Sequence, residues 1–412
     1  MVSGMMDDLA LEITALGAQG DGIVLVDDTR RYVPFALPGE RVRPAEGDGL
    51  PDIVSAPSPD RVPPRCRHFG VCGGCAAQHM SDAAYAAWKR GNVVAAFAQR
   101  GLEPEIAPLV RVRPGSRRRA VLTAKVGRSG TVLGFHRHRS HDLIGIVECP
   151  VLMPAIVQRL PALRALCSVL PQGEARVTVL ATRAGLDVAI EGVRVPSGAT
   201  IARLVSQALE TGIARLTLAG ATLIERTTPT LPIGGVETAV PPGTFVQAVE
   251  DAECELVRRV VDATRGARRV ADLFCGLGAF AFPLAERARV LAIDGNAAAV
   301  AALKAAAQRR QGLKPIETKV RDLFREPLSG LELQGFDAAV FDPPRAGAAA
   351  QSRQLAQSKV RTVVAVSCDP GTLARDVRTL LDGGYAIESV TPIDQFLYAP
   401  HVEVVAVLRK AR

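Results

Sequence analysis

The chain has 412 residues, enough for two or three domains with separate cores, because single cores stop growing well below that length. Hydrophobic residues make up 48%, yet no run of eighteen uncharged apolar residues occurs and Met1 to Asp8 lacks the basic and apolar regions of a secretion leader, so a soluble cytoplasmic protein without membrane contact is expected. The net charge of +8 is local: residues 111 to 141 hold nine Lys or Arg and no acid, and outside them 41 basic residues face 42 acidic ones. With His136, His138 and His141 in the same stretch, this window predicts a face for a polyanion such as nucleic acid, the plainer reading being a solvated surface.

Residues 9 to 54 alternate apolar and polar in short pieces: Leu11 to Thr14, Gly22 to Val26, Arg31 to Phe35 and Pro38 to Val42. Broken by Gly and Pro, this pattern predicts a small β-barrel over 1–56. Four prolines between Ala56 and Pro64 mark a linker. A helix is predicted over 81–100, with Tyr85, Trp88, Val93 and Phe97 on one face, and it can dock on the C-terminal part. From Arg119 to about Val240, strand-like runs (Val121 to Ala124, Val177 to Leu180, Leu186 to Ile190, Leu216 to Leu218) and helical stretches over Met153 to Leu170 and Ala199 to Glu210 predict an α+β domain, here 57–240.

The remainder, 241–412, alternates strictly between strand and helix. Strands are predicted near 269–274, 290–294, 316–320, 337–342, 362–367, 385–390 and 402–408, which is the rhythm of a parallel, doubly wound α/β sheet.

After the first of these strands comes Asp272-Leu-Phe-Cys-Gly-Leu-Gly278, whose Gly276 and Gly278 allow a sharp turn and close approach to a nucleotide cofactor. Asp294, ending the second strand, can accept from ribose hydroxyls. With Ala281 in the third glycine position the dinucleotide fingerprint is formally met, so hydride transfer with NAD stands as an alternative. Asp272, Asp294, Asp322 and Asp342 all fall at or near strand ends, and four carboxylates there suit a cationic, phosphate-free ligand better than a pyrophosphate. Asp342-Pro-Pro-Arg345 and Ser367-Cys-Asp-Pro370 follow two further strands, which makes Cys368 a candidate nucleophile, favoured by the dipole of the helix that follows. Glu403, in His401-Val-Glu403, is the best-placed carboxylate for a general base, although alone it reads as an ordinary edge-strand residue.

Eight cysteines in a chain of this kind favour metal binding or catalysis over disulfides. Cys66, Cys72 and Cys75 lie in a Gly-rich loop, with Cys149-Pro150 as a distant fourth. On spacing alone an iron–sulfur cluster and a zinc ion, with His68 or His79 replacing one thiol, stand level. Cys167, Cys254 and Cys275 read as packed thiols.

Together these motifs resemble the RNA 5-methyluridine methyltransferase family of the RumA/TrmA type, over nearly the whole chain. The resemblance rests on Asp272 to Gly278, Asp342-Pro-Pro-Arg-Ala-Gly347, Ser367 to Asp376 and His401-Val-Glu403, in the family's order. It implies a Rossmann-like sheet using S-adenosylmethionine, with Cys368 adding to carbon 6 of a uracil and Glu403 removing the proton from carbon 5. Gln247, Phe274, Gly276, Gly278, Asp294, Asp322 and Asp342 would surround the cofactor or base. It also implies a [4Fe–4S] cluster on Cys66, Cys72, Cys75 and Cys149, as in the branch that modifies 23S ribosomal RNA, and a TRAM-type, OB-like RNA-binding barrel at the N-terminus. Arg117, Arg118, Arg119, Arg137 and Arg139 become RNA contacts. No obligate protein partner is implied, and a monomer is expected. The chain departs from the family pattern at Val249, Ala279 and Asp294, which implies fewer cofactor hydrogen bonds. The alternatives are a tRNA 5-methyluridine or RNA 5-methylcytosine methyltransferase and, from another class, a non-catalytic RNA-binding iron–sulfur protein.

Overall fold

The computed structural model describes residues 10–43, 49–194 and 197–410. The leader question posed by Met1 to Asp8 and part of the N-terminal barrel pattern lie outside the described residues.

The C-terminal part is built on a seven-stranded sheet: β1 (Arg269–Leu273), β2 (Arg289–Asp294), β3 (Ile316–Val320), β4 (Ala338–Phe341), β5 (Thr362–Ser367), β6 (Tyr385–Ile393) and β7 (Glu403–Lys410). Their order is β3-β2-β1-β4-β5-β7-β6. Every predicted strand is present within a few residues, because short Val- and Ala-rich runs with both faces covered leave little choice of element. The expectation of an all-parallel sheet needs correction: β7 runs antiparallel to both β5 and β6, between which it is inserted. This reversal has a consequence for the site. The start of β7 arrives at the same edge where the other strands end.

Two cores cover the sheet. One packs the helices Glu250–Ala263 and Ala297–Arg309 against one face, and the other packs Ala349–Gln357 and Pro370–Asp382 against the opposite face. The helix Asp82–Ala98 contributes to both, with Tyr85 and Trp88 in the first core and Val93 and Phe97 in the second. Burial of each such large side chain contributes about 1.5–3 kcal/mol, so this helix is held by the C-terminal sheet. Its start is set by Ser81, whose hydroxyl accepts from the Ala84 N–H at 3.1 Å. The exposed edge at β6 is covered by residues 106–110, whose Ala107 and Val110 N–H groups donate to Val390 and Pro392 at 2.9 Å.

The central part is a second seven-stranded sheet, ordered Ala221–Glu225, Arg215–Leu218, Gly185–Glu191, Gly173–Thr182, Arg119–Gly127, Gly130–His136, Leu143–Gly145. The helix predicted over Met153 to Leu170 is divided into Pro154–Val157 and Leu160–Cys167, because Pro161 can occupy only the first turn of a new helix. Near the N-terminus lie two small three-stranded sheets around Ile13, Val24, Val33, Ala36 and Val42. Fully buried Glu40 clasps them to the linker, accepting from the Leu37 N–H at 2.8 Å and from Arg61.

Candidate active site

At the carboxyl edge of the sheet lies a cavity of 590 Å³, bordered by the loops after β1, β2, β4 and β5, by the start of β7 and by residues 244–248. The loop after β1 turns through three left-handed positions at alternate residues, with Phe274 at φ 61°, Gly276 at 51° and Gly278 at 96°. A left-handed phenylalanine costs on the order of 1–3 kcal/mol, which the surrounding packing must over-determine. The two glycines do different jobs. Around Gly276, a cavity-lining residue, a Cβ would meet nothing within 4 Å, whereas at Gly278 it would meet Leu303 at 2.9 Å. Gly278 therefore lets the loop close on the helix Ala297–Arg309, a packing requirement beside its expected place at the cofactor.

Asp294 holds the loop's shape: its two carboxylate oxygens accept from the Gly276 N–H at 2.9 Å and the Asn296 N–H at 2.7 Å, leaving further lone pairs on each. Asp322 accepts from the Phe324 N–H at 3.0 Å, and the Phe324 ring lies 5.3 Å from that of Phe274. Both rings, with Phe245, line the cavity. Asp272 does not join them. It is 1% exposed within β1, and neither oxygen has a partner of ordinary hydrogen-bond geometry. Burial, then the charges of Asp342 and Asp294, push its pKa well up, opposed only by the Ala281 N–H.

Cys368 and Glu403 are brought together by strand register. Ser367 pairs with Val404, so Cys368, the next residue out, stands across from Glu403. Cys368 is held at the entrance to the helix Pro370–Asp382, whose cap Asp369 accepts from the Thr372 N–H at 2.9 Å. Behind these residues runs a chain of side chains that sequence patterns did not disclose in full. The Gln247 amide donates to Asp342 at 2.8 Å; the Gln395 amide donates to the Gln247 carbonyl at 2.8 Å and to Glu403 at 2.9 Å. Gln247 and Asp342 were expected near the site; Gln395 carried no motif signal, being one polar residue in an irregular loop.

The electrostatics are dominated by desolvation. Burial pushes Asp342 up to about 7, with Gln247 opposing it. Burial and then the Asp342 charge push Glu403 well up, against the Gln395 hydrogen bond. Cys368 goes up to about 11, through burial first and then Glu403 and Asp342, with Arg345 pulling the other way. The expectation that a helix N-terminus favours the thiolate is thus overridden by burial first and by two nearby carboxylates second, and the thiol must lose its proton as it reacts.

A second cavity, of 290 Å³, is bordered by Cys66, Cys72, Cys75 and Cys149. Its loops are stapled across sequence: the Arg67 N–H donates to Glu148 at 2.7 Å, Gly73 N–H to His136 carbonyl at 2.9 Å, and His138 N–H to Val71 carbonyl at 2.9 Å. Burial raises all four thiols, Cys75 to about 12. His79 is not among the lining residues. It is buried against Phe35 and Phe69, with both ring nitrogens unpartnered. His68 reaches the cavity, its Nε2 accepting from the Val147 N–H at 3.2 Å. Among the described residues, no three His, Cys, Asp or Glu side chains form a group that could hold a single metal ion. Of the cysteines read as packed, Cys167 and Cys275 are buried, but Cys254 is exposed on its helix.

The basic window is largely neutralised by partners distant in sequence. Arg111 pairs with Asp82 at 2.8 Å, Arg113 with Asp251 at 3.0 Å and Lys125 with Glu174 at 3.0 Å; Arg118 pairs with Glu253, and Arg139 with Asp21. Arg118 is 2% exposed, and its Nε also donates to the Gln247 carbonyl at 3.0 Å, so its expected RNA contact is corrected to an internal one. Arg139 keeps a half-exposed guanidinium, but that group holds a buried carboxylate of the N-terminal sheets. Arg119 lines the larger cavity, and Arg117 lines both, its guanidinium 5.9 Å from the centre of the Phe396 ring. Arg137 bridges backbone to backbone with Cys72. Among the described residues, no helix is long and apolar enough to cross a membrane.

Comparison with known proteins places this geometry in context. Residues 230–411 match the tRNA (uracil-5-)-methyltransferase family. An uncharacterized RNA methyltransferase of Brucella suis is 47% identical over 406 residues, covering 98% of both chains. A 23S rRNA (uracil(1939)-C(5))-methyltransferase, RlmD, of Alkalilimnicola ehrlichii is 33% identical, covering 97% of this chain and 96% of its own. Among solved structures, the Pyrococcus abyssi tRNA (uracil-54, C5)-methyltransferase in complex with S-adenosyl-L-homocysteine superposes with a TM-score of 0.74 at 22% identity, covering 97% and 99% of the two chains; at that identity the likeness speaks for the fold alone.

Proposed function

This chain belongs to the RNA (uracil-5-)-methyltransferase family and is S-adenosylmethionine-dependent; from that premise we propose that it methylates carbon 5 of a uridine in 23S ribosomal RNA through a covalent adduct of Cys368. The observation that carries the mechanism is the register of β5 against β7, which sets Cys368 across from Glu403 on the wall of one cavity. The ribosomal substrate is supported by the full-length relative named for 23S rRNA and by the cysteine set.

Carbon 5 of uracil is a weak nucleophile until a thiolate adds at carbon 6. The Cys368 sulfur forms that bond, and the displaced electron pair makes an enolate of the ring. The methyl group comes from S-adenosylmethionine. Glu403 then takes the carbon 5 proton, the ring double bond re-forms, and Cys368 leaves as thiolate. The raised pKa of Glu403 makes it a stronger base once ionised, a role worth about 10²–10⁴ in rate. A flipped, unpaired uridine costs least to bring into the cavity.

The cofactor fits the walls on two observations: the open space beside Gly276, and the unused lone pairs of Asp294. Asp294 would hold the ribose hydroxyls, the Phe274 and Phe324 rings would flank the adenine, and Asp322, Gln247 and Asp342 would complete the enclosure.

Cys66, Cys72, Cys75 and Cys149 would hold a [4Fe–4S] cluster. All four thiols border one cavity, and the resemblance to the cluster-bearing branch of the family is what favours a cubane over a single tetrahedral zinc. The chemistry moves no electrons, so the cluster would hold loops together. Residues 10–56 and the rim arginines Arg119 and Arg345 would meet the RNA.

The test is RNA carrying 5-fluorouridine at the target, from which no proton can leave. A covalent complex of protein and RNA is expected; its absence despite measured RNA binding sinks the mechanism. Mapping 5-methyluridine in 23S rRNA and tRNA from a deletion strain tests the substrate, and loss in tRNA alone refutes the ribosomal assignment. Protein purified without oxygen should be brown with about four irons per chain; stoichiometric zinc overturns the cluster.

A further inference from the structure

Resting on the covalent uridine mechanism, we propose that Gln395 reads the target base, its side-chain carbonyl accepting the N3–H of uracil and rejecting cytosine. Gln395 is 2% exposed and lines the catalytic cavity. Its orientation follows from its neighbours. With Asp342 ionised, the Gln247 edge 2.8 Å from it is the NH₂; the Gln247 carbonyl therefore faces Gln395, which answers with its own NH₂ at 2.8 Å. From the other side Glu403, ionised when it acts as base, makes the same demand at 2.9 Å. Both Gln395 N–H bonds are thereby spent. What is left is Oε1, buried and without a partner.

An unmet buried acceptor on a cavity wall costs free energy that a ligand donor recovers. Uracil and cytosine differ at the position such an atom can distinguish: N3 carries a hydrogen in uracil and a lone pair in cytosine. Opposite a fixed carbonyl, the first makes a hydrogen bond and the second sets two lone pairs face to face. Sites built to hydrogen-bond one substrate group reject an analogue lacking it by as much as about 10⁴. No other group in the chain Asp342–Gln247–Gln395–Glu403 can do this without breaking a bond already made, except the free oxygens of the two carboxylates, one of which is needed for the carbon 5 proton.

The experiment compares rates of covalent trapping by RNAs differing only in carrying 5-fluorouridine or 5-fluorocytidine at the target, using full-length protein with its metal centre intact. Wild type should trap the uridine RNA strongly in preference. Gln395→Met, which keeps the volume and removes the carbonyl together with the amide, should narrow that preference by about a hundredfold, the ratio of the two RNAs cancelling any common loss of rate. Gln395→Asn, which withdraws the amide by one methylene, should narrow it less and decides the matter if the methionine variant does not fold. An unchanged uridine-to-cytidine ratio in a folded variant overturns the proposal. Failure of wild type to trap either RNA overturns instead the covalent mechanism beneath it.

Discussion

The two cavities share three wall residues, Arg117, Arg345 and Phe396, but treat their polar groups in opposite ways. Around the catalytic cavity the reactive side chains are tied to one another, from Asp342 through Gln247 and Gln395 to Glu403. Around the cysteine cavity the loops are tied mainly through backbone groups, by bonds such as Gly73 to His136, His138 to Val71 and the Arg67 N–H to Glu148, while the four thiols border the space. The difference teaches that one site is pre-organised by its own amides, whereas the other is enclosed by its loops and leaves its thiols facing the space between them. Pre-organised donors are spared reorganisation at the moment of reaction.

The sharpest way to break the comparison is to remove the nucleophile. Cys368→Ala should lower methylation by roughly 10⁴-fold or more while S-adenosylmethionine affinity, read by calorimetry, stays near wild type. Glu403→Gln should cost about 10²–10⁴ and, unlike the cysteine variant, accumulate protein bound to unmodified-sequence RNA, visible on denaturing gels. In the other cavity, Cys149→Ser should abolish the metal content measured after anaerobic purification and lower the melting temperature, yet leave cofactor affinity measurable; full retention of metal refutes the shared-site reading.

Arg118→Ala probes the strand that spans both cavities. Removing one member of a buried ion pair costs about 3–5 kcal/mol, so stability in urea should fall while the salt dependence of RNA binding stays the same. The smallest effect concerns Asp342. An acid whose folded pKa is raised to about 7 loses stability as pH rises from the ordinary carboxylate range through 7, because the unfolded chain ionises first. Asp342→Asn should therefore melt a few degrees above wild type at pH 8 and show no such advantage near pH 3, below both pKa values, while losing methylation.

Much of this was legible in sequence for a physical reason. Strands such as Thr362–Ser367 are continuous apolar runs with turn residues on either side, and that pattern has few other outcomes. Cys368 and Glu403 were recognisable because each sits at a strand end. The strand order was not legible, since nothing in Glu403–Lys410 records that it slots between two neighbours in reverse. Charge pointed to the right class of partner but not to the right residues: several of the window's basic side chains meet acids at Asp21, Asp82, Glu174, Asp251 and Glu253, which only the folded chain brings close. Likewise the two glycines of one motif look alike on paper, and only Leu303 separates their roles.

Lys89, on the helix Asp82–Ala98, is fully buried, 3.0 Å from Asp394, with its ammonium also donating to the Phe396 and His401 carbonyls. Tyr85, one turn earlier, donates to Asp394 at 2.8 Å and accepts from the Tyr398 N–H at 2.8 Å. The segment carrying Gln395 and leading to Glu403 is thus fastened by a helix from more than three hundred residues earlier in the chain. A catalytic half excised near residue 241 would leave Asp394 as a stranded interior charge and the base-reading loop without its clamp. The change of strand and helix rhythm near residue 241 is no place to cut, and the methyltransferase sheet of this protein is not a cassette that can be moved to another chain alone.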